Sequence, residues 1–222
     1  MQLRIHKEGW LFFIISCLIT IVIIPFYTFL GIIFLLFSIY IFYFFRDPIR
    51  AIPNENVVVS PADGLVTFVG ESNSPLENKL DTNKYKKISI FLSIFDVHVN
   101  RMPIDALITS IDYIPGKFLN ATLDKSSKEN ERNIIYAKNK DENFYIVQIA
   151  GLIARRIVCN LNNDQEVTKG QRIGIIKFGS RVDLYLPNNY NILISKGQRV
   201  VGGETIISNP NNTQNIKSTI LI

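Results

Sequence analysis

The sequence predicts a compact, mainly β domain of barrel-like or sandwich-like architecture, preceded by an N-terminal α-helical membrane hairpin. Residues 10–45 carry no charged side chain and are dominated by Ile, Leu and Phe. After residue 50 the chain consists of short β-branched and aromatic runs separated by Gly, Pro, Asn and Asp, and none of them has a helical period. Short strands with frequent turns are typical of a β barrel or of two packed sheets.

The apolar segment predicts two helices rather than one. A single helix over residues 10–45 would be roughly 50 Å long, whereas a hydrocarbon core is about 30 Å thick. Pro25 and Gly31 offer a break, and each half is then near the lower limit for a crossing, so two short crossings and a re-entrant hairpin both fit. Basic side chains flank the segment on both sides, which places both ends in the cytoplasm. A buried hairpin of a soluble protein is disfavoured because neither half has a polar face.

Prolines at positions 48 and 53 mark a linker. We therefore divide the chain into a hairpin with its linker, residues 1–50, and a folded domain, residues 51–222. A repeated Lys-Gly-Gln-Arg motif, at Lys169 and again at Lys196, places a glycine turn before a strand, as in biotin and lipoyl carrier domains. The polar stretch 115–133 predicts a loop, either a lid or a plain insertion. Strands are predicted at 57–59, 64–69, 87–93, 106–113, 134–138, 144–150, 156–160, 172–177, 182–186, 191–194 and 204–207.

The amino-acid composition limits which compartment and which kinds of binding partner fit this protein. The two cysteines, Cys17 and Cys159, do not form a disulfide framework, which agrees with a reducing, cytoplasmic-facing domain. A net charge of +5 fits a domain that lies against anionic lipid. The sequence has no dense Lys/Arg stripe of the kind that predicts nucleic-acid binding. It also has no Cys/His cluster that would predict a metal site and no phosphate loop that would predict a nucleotide site.

The pair Gly179-Ser180 carries the main chemical hypothesis. In a strained turn, a serine hydroxyl can attack the preceding carbonyl and convert the amide to an ester. Elimination then leaves a new N-terminal ketoacid, a pyruvoyl group. A lone Gly-Ser pair is far more often an ordinary turn, so the hypothesis depends on its surroundings.

Two further residues supply what a serine nucleophile needs. His98, at the end of an apolar run, is the one histidine after the hairpin, and an imidazole is well suited to remove a hydroxyl proton near neutral pH. Asp63, in the segment Ser-Pro-Ala-Asp-Gly, could orient that base, although Asp-Gly is also a common hairpin turn. Together with Ser180 they make a nucleophile, a base and an orienting group.

These residues lie in segments that resemble the phosphatidylserine decarboxylase proenzyme family, in its short bacterial and archaeal form. The resemblance runs from Arg46 through nearly the whole β domain, and the apolar hairpin also fits. Each segment is weak alone, but their order and joint presence are specific. The segments are 61–64, 95–103, 115–118, 130–132, 149–157 and, most specific of all, 169–187.

The resemblance implies a precursor that cuts itself between Gly179 and Ser180. The products would be a β chain, residues 1–179, and an α chain, residues 180–222, which stay together and whose further oligomerisation is left open. Ser180 would become a covalent pyruvoyl cofactor that forms a Schiff base with phosphatidylserine and releases CO₂ and phosphatidylethanolamine. His98 and Asp63 would assist cleavage and proton transfer. The implied location is the cell (inner) membrane, with the catalytic domain on the cytoplasmic face.

The match departs from the long-form relatives at Arg101, where those proteins carry a second histidine that partners the aspartate. Either His98 serves both roles here or Arg101 contributes electrostatically. Arg155 and Arg156 are candidates for binding the substrate phosphate or carboxylate, because a guanidinium offers a planar fork for such groups. Surface charge on a strand is the equally good alternative for this pair.

Two other functions stay open. The first is the same chemistry on an archaeal serine phospholipid with ether chains, an archaetidylserine-type decarboxylase. The second is a non-cleaving, membrane-tethered carrier or adaptor module with a lipoyl-like domain. That module would need a lysine at a hairpin tip beside Met or Ala, and the sequence contains no such tripeptide.

Overall fold

A computed structural model describes residues 4–76, 83–117, 129–140, 142–151, 156–177 and 180–209. In these ranges two helices precede fourteen strands. The helices are α1 (Lys7–Ile23) and α2 (Thr28–Phe44). The strands are β1 (Val58–Val59), β2 (Gly64–Asn73), β3 (Lys84–Leu92), β4 (Val99–Arg101), β5 (Ala106–Ile114), β6 (Arg132–Asn139), β7 (Glu142–Ala150), β8 (Arg156–Cys159), β9 (Glu166–Val167), β10 (Arg172–Lys177), β11 (Ser180–Pro187), β12 (Asn191–Ile192), β13 (Arg199–Val200) and β14 (Ile206–Asn209).

The two helices form an antiparallel hairpin. Phe13 packs on Phe42 with ring centroids 5.6 Å apart, and the buried hydroxyls of Thr20 and Ser38 lie 3.4 Å from each other. Gly31 was predicted to help break the apolar segment, but it lies inside α2. A Cβ at Gly31 would come within 2.6 Å of the Ile24 Cα, so the missing side chain lets the second helix pack closely against the turn.

The helical hairpin is confirmed, but its assignment as a membrane span is not supported. Each helix has 17 residues. At 1.5 Å per residue this gives about 25 Å, shorter than a hydrocarbon core of about 30 Å. Neither helix described here combines the length and apolarity that a bilayer crossing requires.

The base of the hairpin is joined to the β domain. The backbone N–H of His6 donates to the Phe45 carbonyl at 2.8 Å, which closes the hairpin's open end. Phe44 and Phe45 are fully buried and pack with Val97, Val99 and Ile175. The hairpin therefore packs on the region where β4 pairs with β10.

The β domain confirms the mainly β fold. Eight antiparallel strands form a curled half-barrel sheet in the order β13-β2-β3-β11-β7-β6-β5-β9. Two three-stranded sheets, β4-β10-β8 and β1-β14-β12, complete the described strands. β11 lies centrally, and seven of its eight residues are buried, because β3 and β7 pair with it on both sides.

The repeated motif forms the same turn twice. Gly170 and Gly197 have φ of +80° and +91°, a region that favours glycine. In each turn the following glutamine side chain accepts a backbone hydrogen bond, Gln171 from Thr168 and Gln198 from Ser195. β10 and β13 begin directly after these turns, as the sequence predicts. Most of the predicted 115–133 loop lies outside the described residues, and β6 already begins at Arg132.

Candidate active site at the start of strand β11

Ser180 is the first residue of β11, and the chain changes sheets just before it. β10, which ends at Lys177, belongs to a three-stranded sheet, whereas β11 is central in the eight-stranded sheet. Ser180 pairs with Leu92 on one side and Ala150 on the other. Gly179, and with it the predicted scissile bond, lies outside the described residues.

The Ser180 hydroxyl is buried and makes no hydrogen bond within the described residues. The residue is 0% exposed. Leaving a buried polar group unpaired costs about 1–3 kcal/mol. Such a cost at the start of a central strand points to a chemical rather than a structural role.

His98 is held as a neutral imidazole. Its Nδ1 lies 3.0 Å from the Asp96 carbonyl oxygen, which can only accept a hydrogen bond. The ring proton is therefore on Nδ1, and Nε2 carries a lone pair. Nε2 is buried and has no hydrogen-bond partner among the residues that the structure describes. Burial lowers the pKa of His98 to about 4, so the imidazole is uncharged at neutral pH.

The segment that carries His98 is fixed from two directions. The Asp96 carboxylate accepts hydrogen bonds from the backbone N–H and the hydroxyl of Ser93, at 2.8 and 2.7 Å, and it also pairs with Arg199. On the other side, Phe44 of α2 lies against the imidazole with ring centroids 4.2 Å apart. The hairpin thus helps to exclude water from His98. Sequence reasoning missed both Asp96 and Phe44.

Asp63 lies in the turn before β2 and is bound by an arginine. Both carboxylate oxygens accept from Arg50 Nη2, at 2.9 and 2.7 Å, and the Gly202 backbone N–H donates at 2.8 Å. Burial raises the pKa of Asp63, while Arg50 and the Gly202 amide act in the opposite direction. The structure does not bring Asp63 into a hydrogen bond with His98, whose one hydrogen-bonded nitrogen, Nδ1, contacts the Asp96 carbonyl.

Arg101 is buried and its terminal nitrogens bind protein groups. Nη2 donates to the Asp47 carboxylate at 2.9 Å and to the Pro48 carbonyl at 3.0 Å, and Nη1 donates to the Gly170 carbonyl at 3.0 Å. These bonds tie the linker to the turn before β10. Arg156 is exposed and pairs in register with Lys177 near the end of β10. Arg155 lies outside the described residues.

Comparison with known proteins identifies the family. The sequence model described as phosphatidylserine decarboxylase matches residues 37–208. The chain belongs to the phosphatidylserine decarboxylase family. The resemblance predicted from the motifs is therefore confirmed.

Relatives of this family member are similar over nearly their whole length. Proteins named phosphatidylserine decarboxylase proenzyme from Pelagibacter ubique and Ehrlichia chaffeensis are each 50% identical, over 207 and 208 residues. These alignments cover 92% of this chain and 96% and 91% of the relatives. A protein of the same name from Rickettsia typhi is 47% identical over 206 residues, which is 92% of this chain and 89% of the relative.

We predict that Asp63→Asn lowers stability through Arg50. The side chains of Asp63 and Arg50 are 15% and 10% exposed, so removing the carboxylate charge leaves the nearly buried guanidinium with only the longer, 3.9 Å contact to Glu204 among the described residues. We expect a loss of about 2 kcal/mol in the free energy of unfolding, measured by urea denaturation in a non-cleaving Ser180→Ala background. The control is Glu71→Gln, whose pair with Lys84 is mostly exposed and worth less than about 1 kcal/mol. Equal losses for the two variants would contradict the prediction.

Proposed function

We propose that this chain is the precursor of a phosphatidylserine decarboxylase that cuts itself between Gly179 and Ser180. The observation that carries the proposal is the buried, unpartnered Ser180 hydroxyl at the start of β11. Membership of the family and the word proenzyme in the names of its relatives support it. His98, neutral and with a free Nε2, supplies the base.

Self-cleavage uses groups of the chain itself. His98 Nε2 takes the hydroxyl proton of Ser180 while Oγ bonds to the Gly179 carbonyl carbon. The C–N bond then breaks, the nitrogen takes the proton back, and an ester joins the two segments. As the Ser180 α-proton is removed, its electron pair forms a Cα–Cβ double bond and the Cβ–Oγ bond breaks, which frees the Gly179 carboxylate. A proton added at Cβ converts the resulting enamine to an imine. Water then replaces the nitrogen, which leaves as ammonia, and a ketone remains.

The residues around Ser180 fit a pyruvoyl group formed from it. The position is fully buried between β3 and β7 in the uncut chain, which shields it from bulk solvent. When present, this group supplies a carbonyl that binds a primary amine and accepts electrons as CO₂ leaves. In this proposal His98 Nε2 donates a proton to the substrate carbon after CO₂ leaves. Asp63 acts through the charge balance of Arg50 and the nearby Asp96.

The proposed substrate is phosphatidylserine in the bilayer, reached from the cytoplasmic face of the cell (inner) membrane. Large apolar side chains on the hairpin are exposed, among them Phe26 at 78% and Phe29 at 80%. Contact of these side chains with lipid would keep the head group beside the domain, and the base of the hairpin adjoins His98 through Phe44. Arg155 and Arg156 remain predicted contacts for the phosphate or carboxylate. Because Arg101 binds Asp47, its proposed contribution is electrostatic.

The test is the intact mass of the purified, denatured protein together with CO₂ release from phosphatidylserine vesicles. We expect two fragments, residues 1–179 and 180–222, and a blocked N-terminus on the smaller one whose mass borohydride changes. Vesicles with ether-linked chains test the archaetidylserine alternative. A single full-length chain without activity would leave the carrier or adaptor module as the better hypothesis.

A further inference from the structure

The mechanism above does not use the side chain of Asn100, which lies two residues after His98 in the chain. Like Ser180 Oγ and His98 Nε2, the buried side-chain nitrogen Nδ2 of Asn100 makes no hydrogen bond to the part of the chain that the structure describes. Asn100 is 0% exposed. An amide nitrogen is a donor, whereas the other two atoms are the nucleophile and its base. The three atoms therefore have complementary chemical capacities.

Strand pairing places Asn100 on the same side of the large sheet as Ser180. Asn100 lies in β4, two residues after His98, and its side chain bonds to Gln148 of β7. Gln148 pairs with Val182 of β11, just as Ala150 pairs with Ser180. Residues two apart on a strand share a face, so the Gln148 side chain leaves the sheet on the face that carries the Ser180 hydroxyl. Gln148 and Ser180 are diagonal neighbours on adjacent strands, and such residues are about 7–8 Å apart.

A chain of amides fixes which atom of Asn100 is left free. Asn133 Nδ2 donates to Gln148 Oε1 at 3.0 Å, and Gln148 Nε2 donates to Asn100 Oδ1 at 2.8 Å. All three residues are buried. Because Oδ1 is used as the acceptor, the free atom is the donor Nδ2. The network holds a hydrogen-bond donor unused in a dry site, at a cost of about 1–3 kcal/mol.

We propose that Asn100 Nδ2 stabilises the negative oxygen formed during self-cleavage. This inference rests on the proposed function. When Ser180 Oγ bonds to the preceding carbonyl carbon, the carbonyl electron pair moves onto its oxygen, and the Oγ proton moves to His98. A preorganised donor lowers the energy of that charged intermediate without reorganisation. Gln148 and Asn133 are positioning residues that set the direction of the donor.

The test compares self-cleavage rates of Asn100→Ala and Asn100→Asp with that of the unchanged chain, by intact mass over time. Removing one such donor slows a reaction by roughly 100- to 1,000-fold, which is the slowing expected for Asn100→Ala. Asn100→Asp keeps the shape but puts an oxygen in place of the donor, so it should be at least as slow. The matched control is Ser208→Ala, which removes a fully buried hydroxyl from a different sheet and should leave the rate unchanged.

Two measurements separate this role from a purely structural one. Melting of each variant in the non-cleaving Ser180→Ala background shows whether it folds, and Asn100→Asp decides the question if Asn100→Ala melts below the assay temperature. Hydroxylamine, which cleaves an ester, should not rescue Asn100→Ala, because the slowed step precedes the ester. The inference would be overturned by normal cleavage of both Asn100 variants, or by slowing of these variants no greater than that of Ser208→Ala. Rapid rescue of Asn100→Ala by hydroxylamine would also overturn it. Absence of cleavage in the unchanged chain would instead overturn the proposed function.

Discussion

Ser180→Ala should abolish self-cleavage and leave the chain at its full mass of 25.4 kDa. The side chain at this position supplies both the attacking oxygen and the carbon atoms of the proposed cofactor, so neither can be replaced by a neighbour. The variant should also release no CO₂ from phosphatidylserine vesicles. Intact mass after denaturation measures the first effect, and trapped CO₂ measures the second.

Ser208→Ala is the matched control for Ser180→Ala. Both serines are fully buried in strands, but the Ser208 hydroxyl donates to the Asn191 carbonyl at 2.7 Å, whereas the Ser180 hydroxyl is unpartnered. We therefore expect Ser208→Ala to lower stability by about 1 kcal/mol and to leave cleavage intact. Cleavage of Ser180→Ala at the same bond would rule out Ser180 as the nucleophile.

His98→Ala is expected to slow self-cleavage by about 100- to 10,000-fold, the usual contribution of a general base. His98 is buried and its Nε2 is free, so no solvent base has ready access to the same position. The measurement is the uncut fraction over time. His6→Asn is the control, because it changes the other histidine, a residue that caps α1, and should cut at the normal rate.

The pH profile gives an independent readout of the same residue. Burial lowers the pKa of His98 to about 4, so cleavage of the unchanged chain should stay constant as the pH falls through 6.5 and decline only near 4. The unfolded chain binds a proton at this histidine below about 6.5, whereas the folded chain does not until about 4. The free energy of unfolding of the Ser180→Ala variant should therefore decrease as the pH is lowered from about 6.5 to about 4. The decrease should be smaller when His98 is also replaced. A cleavage rate that falls by half near pH 6.5 would contradict a buried, neutral His98.

Local pattern predicted most of the fold. All eleven predicted strands are present, because alternating and β-branched runs mark strands wherever one face is buried. Three strands lie outside the predicted ranges, β4, β9 and β13, and they have only two or three residues; the repeated glycine turn indicated β13 without giving its bounds. Strands of this length carry little hydrophobic pattern, and each of these three pairs with a longer strand. The sequence around Gly31 also did not predict its role, because a glycine is needed there only where Ile24 approaches the helix closely.

In the candidate site, too, the sequence predicted the chemically important residues but not their contacts. The order of the motifs singled out Ser180, His98 and Asp63, because chemistry of this kind needs particular residue types in the chain. Their partners were not predictable: Asp63 binds Arg50, and Nδ1 of His98 binds a backbone carbonyl. The role proposed for Asn100 had no sequence signal, because it depends on Gln148 and Asn133, which lie 48 and 33 positions away.

Residue types and their order were enough to establish the family, the β class and the chemical groups available for self-cleavage. They could not establish which nitrogen of His98 is free, how far its pKa falls, or which hydroxyl is left unpaired. Those properties arise from desolvation and hydrogen bonding by segments distant in the chain. Phe44 and His98, for example, lie 54 positions apart in the sequence and yet pack ring against ring. Such contacts form only when the hairpin and the sheets pack together, and burial then sets the protonation state on which the chemistry depends.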